Sequence, residues 1–312
     1  MSGPETIALG IDIGGTNVKL GLVDVEGRVL GRRRFAYASV PSFAALCDRL
    51  VADLREMERE AERLTSCIGV AAPGHAQTGD GMMVDGTANV PLLQNRSLAA
   101  ALRERLELPV VTVNDGTAAA LGELNFGSGR GCKRFVVVTL GTGVGGGVVV
   151  DGHVITGDDG EPPEIGAMVL SAPMASPRTL EEFACAAGFG AAYQRHVGQR
   201  RLLPEEIFAR AAIGEEAAIQ AIDDTCRRVA QALGTLINTL NLNACLVAGG
   251  IAAAGEALLE PIRRHLPDFT WPYLLSRARV ERAATGGDAG TLGAASLALH
   301  SHVAELRPTP GR

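Results

Sequence analysis

The chain has 312 residues, 46% hydrophobic and 21% charged, with a formal net charge of −6, enough for one large or two medium domains and without the basic face that nucleic-acid binding needs. No basic-plus-apolar leader opens it and no apolar run is long enough to span a bilayer. Six scattered cysteines (Cys47, Cys67, Cys132, Cys185, Cys226, Cys245) lack any CxC or CxxC spacing, so a reducing, cytoplasmic setting is expected, with no membrane or nucleic-acid partner.

Ile7, Leu9, Ile11 and Ile13 alternate with small or polar residues and predict a strand. Gly14-Gly15 breaks it, Val18, Leu20 and Leu22 begin a second strand, and Glu26-Gly27 turns the chain into a third. The first turn gathers Asp12, Gly14, Gly15, Thr16 and Asn17. Two glycines let backbone N–H groups approach an anion, Thr16 adds a hydroxyl, and Asp12 is an acid able to hold hydrated Mg²⁺. The same residues also suit an ordinary glycine hairpin. Arg32-Arg33-Arg34 reads as a solvated strand end. Ser42 caps a predicted helix whose apolar positions recur from Phe43 to Leu64. Cys67–Ala72 is a buried strand stopped by Pro73-Gly74, and an irregular stretch from His75 to Leu93 carries Asn89. A helix over Ser97–Glu107 precedes a buried strand from Val110 that ends at Asn114-Asp115, where another helix starts.

The opening pattern then returns. Phe135–Ile155 is again strand, glycine turn, strand, hairpin, strand, and Val25–Leu30 matches Val150–Ile155 about 125 residues later. That weak repeat predicts two similar α/β lobes. Gly141, Gly143 and Gly146 satisfy GxGxxG, but a strand follows, so a dinucleotide fingerprint is excluded. A turn containing Thr142 and Gly143 suits phosphate cradling by amides, or else a tightly packed sheet corner. Two such turns facing each other would clamp a polyphosphate. Beyond a Gly157–Gly166 loop, helices are predicted over Leu180–His196 and Glu215–Leu240. A buried strand from Cys245 ends in Gly249-Gly250 and leads into a helix through Leu266. A strand near Ala278–Ala283, a Gly286-Gly287 turn, a helix over Asp288–His300 and a disordered tail from Arg307 complete the prediction.

Asp115 ends a strand at the place where α/β folds bind ligands, and can accept a hydroxyl proton there or simply cap the helix. Glu164 in its loop reads as an acceptor for sugar hydroxyls or as a solvated acid. Asn89 and Gly74 read as polar ligands or turn residues. Gly249-Gly250 lets a flat ring approach the backbone, or is a plain strand-to-helix turn. The six histidines lie apart in sequence, and no metal cluster is visible.

Taken together, LGIDIGGTNVKLGLVD, Ala72-Pro73-Gly74, Asn89-Val90-Pro91, VNDGTAAALGE, LGTGVGGGVVVDG, PEIGAM, LVAGG and DAGTLGAASLAL follow an order and spacing that resembles the ROK family of sugar kinases, from about Ile7 to Leu299. The resemblance implies an α/β, two-lobed actin-like ATPase (ribonuclease H-like) fold with a mixed five-stranded sheet in each lobe. One lobe would be residues 1–116 with helix 288–302 packing back on it, the other 117–287. It implies ATP- and Mg²⁺-dependent phosphorylation of a hexose hydroxyl, glucose to glucose 6-phosphate first, by a homodimer. Asp115 would be the catalytic base. Gly74, Asn89, Asn114 and Glu164 would hold the sugar. Asp12, Gly14, Gly15, Thr16, Asn17, Thr142, Gly143, Gly249 and Gly250 would handle nucleotide and, through water at Asp12, Mg²⁺. Repressors of this family carry a DNA-binding segment ahead of the first strand; about six residues precede it here, so DNA binding is not expected.

The chain departs from the family pattern in three places. The histidine of the ExGH motif is replaced by Ala167 after Glu164-Ile165-Gly166, which opens the choice of sugar. The cysteine-rich zinc motif is reduced to Cys185, with Glu181 or Glu182 keeping its terminal acid, so no structural zinc is expected. Gly116-Thr117 stands where Ala-Asn is usual. Another hexose, an N-acetylhexosamine, GTP or polyphosphate as donor, and a sugar-binding relative impaired in catalysis stay open.

Overall fold

The structure, a computed structural model, describes residues 6–77, 79–171, 178–198 and 201–306. Strand β1 (Ile7–Ile13) is buried at every position but Asp12, because it lies mid-sheet with helices over it. Strands β2 (Asn17–Asp24) and β3 (Val29–Ala36) run antiparallel beside it. Helix α1 (Phe43–Ala61) starts where the Ser42 hydroxyl accepts the Ala45 N–H, as expected. It stops short of the expected Leu64, since Glu62 turns left-handed (φ 53°) and Leu64 is exposed. Strand β4 (Cys67–Ala72) pairs parallel with β1. A small hairpin, β5 (His75–Ala76) with β6 (Met83–Asp85), leads to helix α2 (Leu98–Leu106), strand β7 (Val110–Asn114), parallel to β4, and helix α3 (Asp115–Phe126). The sheet order is β3-β2-β1-β4-β7. The arginine run lies on edge strand β3: Arg32 pairs with Asp288, Arg33 with Glu60, and Arg34 donates to the Asn17 side chain.

The second unit repeats this plan. Strands β8 (Phe135–Leu140), β9 (Val144–Val150) and β10 (His153–Val154) form the antiparallel part. A two-stranded ladder, β11 (Val169–Ser171) with β12 (Arg178–Thr179), follows. The single helix expected over Leu180–His196 is broken into α4 (Leu180–Ala184) and α5 (Ala186–Val197). Cys185 between them is extended because the Ala186 N–H donates to the Gly141 carbonyl instead of continuing the helix. Helix α6 (Pro204–Ala212), begun by Pro204 at its first position, was not expected. Helix α7 (Glu216–Leu240) lies against α5, α6 and α8 (Glu256–His265). Strand β13 (Ala244–Ala248), short helix α9 (Pro272–Leu275) and strand β14 (Arg279–Arg282) complete the order β10-β9-β8-β13-β14, in which β8, β13 and β14 are parallel. Both five-stranded sheets are therefore mixed.

Helix α10 (Ala289–Leu306) packs on β1, β4 and α3 in the first unit. That approach uses small residues: a Cβ on Gly10 would strike the Thr291 carbonyl, one on Gly69 the Ala294 carbonyl, and one on Gly293 the Ala118 carbonyl of α3. The first unit consists of residues 1–130, 156–162 and 288–312, and the second of 131–155 and 163–287. The expected boundary at residue 116 therefore moves to 130, because α3 packs along α10. The tail expected from Arg307 lies outside the described residues.

Candidate active site

In the first unit the parallel strands β1, β4 and β7 end on one side of the sheet, and the predicted residues of this unit lie at those ends. The turn after β1 closes when the Gly14 N–H donates to the Asn17 carbonyl (2.9 Å), leaving Gly15 and Thr16 exposed at its tip. Asp12 faces Lys19 across the β1–β2 pair, with Nζ 3.3 Å from its carboxylate. Burial raises the Asp12 carboxyl above its ordinary pKa, and the Lys19 ammonium works against that shift. The first turn of α10 abuts the same carboxylate through Gly290. Lys19 and Gly290 were not singled out from sequence, though a hairpin register centred between Gly15 and Thr16 would have placed Lys19 opposite Asp12.

Gly74 ends β4 with φ 90°, a conformation that suits glycine. Its carbonyl accepts the Asn114 Nδ2–H at 3.0 Å. The Asn114 Oδ1 accepts the N–H groups of Gly116 (2.9 Å) and Thr117 (3.1 Å), so Asn114 and not Asp115 is the N-cap of α3. Asp115 is left as the first helical residue, exposed, with Oδ1 accepting the Gly116 N–H at 2.8 Å. Asn89 is exposed in its loop and touches the β1–β2 turn: a Cβ on Gly15 would lie 2.9 Å from the Asn89 carbonyl oxygen. Asp12, Gly14, Gly15, Thr16 and Asn89 thus form one neighbourhood, and Gly74, Asn114 and Asp115 another at the adjacent strand ends.

In the second unit the β8–β9 turn closes by a Gly141 N–H to Gly143 carbonyl bond (3.0 Å), with Thr142 and Gly143 exposed. Gly249 (φ 87°) is pressed against Leu140 at the end of β8, which sets the Gly249-Gly250 turn beside the β8–β9 turn. A Cβ on Gly250 would meet nothing within 4 Å, so its backbone is open to a ligand. Glu164 is exposed and precedes the short 3-10 helix Ile165–Ala167, while Ile165 is buried against Gly146. Glu181, noted from sequence only as a remnant of a zinc motif, places its carboxylate on the β8–β9 turn, accepting the Val144 N–H at 2.9 Å.

Among the described residues no three His, Cys, Asp or Glu side chains form a group that could hold a metal ion. Cys185 is buried at the α4–α5 break and Ala167 is exposed. Residues 172–177, part of the zinc-motif segment, lie outside the described residues, and their sequence, APMASP, has no Cys or His. A structural zinc does not fit this donor set. Mg²⁺ does fit, because it is commonly held by one or two carboxylates with water and substrate phosphates, which asks of the protein only a carboxylate such as Asp12.

The ROK family model matches residues 8–301. The chain belongs to the ROK family. It is 31% identical to the glucokinase of Thermotoga maritima, the match covering 94% of this chain and 98% of that one. It is 29% identical to the N-acetyl-D-glucosamine kinase of Yersinia enterocolitica, over 93% and 98% of the two chains. Among solved structures it is similar to the ROK glucokinase of Streptomyces griseus in complex with glucose and AMPPNP, at 26% identity and a TM-score of 0.81, covering 94% of this chain and 99% of that one. The fold of this ROK chain is accordingly the actin-like ATPase fold, with the two mixed sheets expected of it.

Proposed function

We propose that this chain is a sugar kinase that transfers the γ-phosphoryl group of ATP to a hydroxyl of a hexose, with glucose as substrate and glucose 6-phosphate as product. The observation that carries the reading is the division of labour at the start of α3. Asn114 is the N-cap, accepting the Gly116 and Thr117 N–H groups, while Asp115, whose Oδ1 also accepts the Gly116 N–H, is exposed at a strand's carboxyl end where a ligand can reach it. Asp115 takes the proton of the attacking hydroxyl as its oxygen bonds to the γ-phosphorus and the bond to the ADP oxygen breaks. Asn89, Glu164 and the Gly74–Asn114 pair hold the other sugar hydroxyls. Amides of the two glycine turns, at Gly14–Asn17 and at Thr142–Gly143, bind phosphate oxygens, and Gly249-Gly250 lies along the base. Asp12 would hold the Mg²⁺ of the nucleotide through water, and when bound that ion would offset the charge of the phosphates. Lys19 opposes the rise that burial gives the Asp12 pKa. A homodimer in the cytoplasm is the proposed assembly and setting; among the described residues no helix is long and apolar enough to cross a membrane.

An N-acetylhexosamine is the second reading, favoured by the similarity to the Yersinia enzyme and by Ala167, whose small side chain stands where the family histidine would. A coupled ADP-release assay over hexoses and N-acetylhexosamines, with wild type beside Asp115→Asn, tests both. The expected result is turnover with glucose and a kcat lowered about 10²–10⁴-fold in the variant. Turnover with N-acetylglucosamine alone selects the second reading, and unchanged kcat in the variant removes Asp115 from the chemistry.

A further inference from the structure

Glu181 is on the first turn of α4 but makes its contact elsewhere, on the β8–β9 turn. Its Oε2 accepts the Val144 N–H at 2.9 Å and lies 2.7 Å from where a Gly143 Cβ would be. The far side of the same turn is held by the chain just beyond α4, where the Ala186 N–H donates to the Gly141 carbonyl at 2.8 Å. The near end of α4 is tied to the strand that follows the Glu164 loop, the Leu180 N–H donating to the Met168 carbonyl at 2.8 Å. Gly166 of that loop fits against the Val144 carbonyl, and a Cβ there would lie 3.6 Å from the Glu181 Cβ. The α4 segment therefore holds the β8–β9 turn from both of its ends, and its near end also meets the Glu164 loop.

We propose that Glu181 is a positioning residue for nucleotide binding: its carboxylate clamps Val144 and thereby fixes the direction of the exposed Thr142 and Gly143 amides. The need for such a clamp follows from the turn's composition. Gly141 and Gly143 have no side chains to pack, so without an outside anchor the loop is free to sample many backbone states, and ordering it on binding costs affinity. A carboxylate accepting a backbone N–H makes a charge-assisted bond of the stronger kind. Glu181 does not touch the reacting atoms; it acts through the turn. The proposal rests on the kinase reading above.

The test compares Glu181→Gln and Glu181→Ala with wild type by calorimetric binding of AMPPNP with Mg²⁺, by steady-state kinetics and by thermal unfolding. Glutamine keeps an acceptor oxygen at the same reach and alanine removes it. Nucleotide Kd and KM are expected to rise about tenfold in the alanine variant, in line with loss of one hydrogen bond to a charged group. In the glutamine variant, which keeps the acceptor but not its charge, both rise only about threefold, and kcat at saturating ATP is preserved in both variants. Because the glutamine variant controls for the fold, a general loss of packing would show as a lowered melting temperature and lowered kcat together. The proposal is overturned if alanine binds AMPPNP as wild type does, if glutamine loses as much as alanine, or if wild type binds no nucleotide. Nucleotide binding that depends on residue 181 without turnover on any sugar would instead sustain the clamp and overturn the sugar-kinase reading.

Discussion

Gly290 stands against Asp12 so closely that a Cβ on it would lie 2.7 Å from the Asp12 carboxyl carbon and 2.8 Å from Oδ1. The carboxylate cannot retreat, because β1 is buried around it and Lys19 holds its other side. Gly290→Ala is therefore expected to displace Asp12 from its place beside the β1–β2 turn. Overpacking of this kind costs about 1–3 kcal/mol of fold stability, and kcat/KM for MgATP should fall through the displacement of Asp12, by roughly tenfold or more if one hydrogen bond to a charged group is lost. Steady-state kinetics in ATP at saturating sugar reads the effect, and an unchanged kcat/KM would show that α10 yields instead.

Asp12 also predicts a stability effect of opposite sign to its functional one. Burial raises its folded pKa above the ordinary 3.8, so the folded state binds the proton more tightly than the unfolded chain does. The stability linked to that protonation is fully present below the unfolded value and is lost as pH rises through the raised folded one. At pH 7 the ionised carboxylate consequently weighs against the unliganded fold. Asp12→Asn is expected to raise the melting temperature at pH 7 while weakening MgAMPPNP binding. A calorimetric scan showing a lower melting temperature would mean that the Lys19 contact outweighs the desolvation.

Asn114 does two jobs that different substitutions separate. Its Oδ1 caps α3 and its Nδ2 ties that helix to Gly74. Asn114→Ala loses both and should lower stability by about 0.5–2 kcal/mol. Asn114→Asp keeps the cap, loses the donor to Gly74, and should recover most of that stability. Both should raise the sugar KM, because each frees the strand end at Gly74. Chemical denaturation with sugar-saturation kinetics checks the pair, and a sugar KM restored in the aspartate variant would exclude the Gly74 tie from substrate binding.

The six thiols should divide sharply in reactivity. Cys132 is half-buried and the other five are buried. Burial pushes the Cys245 thiol up to about 12 and raises Cys226 as well, so neither forms thiolate at neutral pH. Ellman's reagent is expected to titrate one thiol in the native protein and six in guanidinium. Cys132→Ser should abolish the native reaction, and fast labelling of a second thiol would show local opening near it.

The strands and both glycine turns were legible because a two-residue apolar period and paired glycines report local geometry that packing does not override. Phe135–Ile155 could be recognised as the return of Ile7–Leu30 for the same reason. What escaped depends on partners distant in sequence. Leu180–His196 has a helical pattern throughout, yet Gly141 draws the Ala186 N–H away and the helix breaks at Cys185. The boundary at residue 130 depends on how α3 meets α10, some 170 residues further on, through Ala118 and Gly293. At the site, Asn114 and Asp115 were both visible, but only the fold shows which of the two caps the helix. Glu181 had no local signal for its role, since its contact is with Val144, 37 residues earlier.

The seating of α10 on β1 and β4 also has a consequence for biosynthesis. Gly10 and Gly69 are shaped to receive Thr291 and Ala294, so that face of the first sheet stays uncovered until more than two hundred further residues have been made. At about 5–20 residues per second, that is a wait of roughly ten seconds to a minute. The second unit, whose sheet closes with β14, has all its strands before the first has its last helix. For a nascent chain of this kind, the part synthesised first is the part completed last, and in that interval its apolar sheet face is open to contact with other chains.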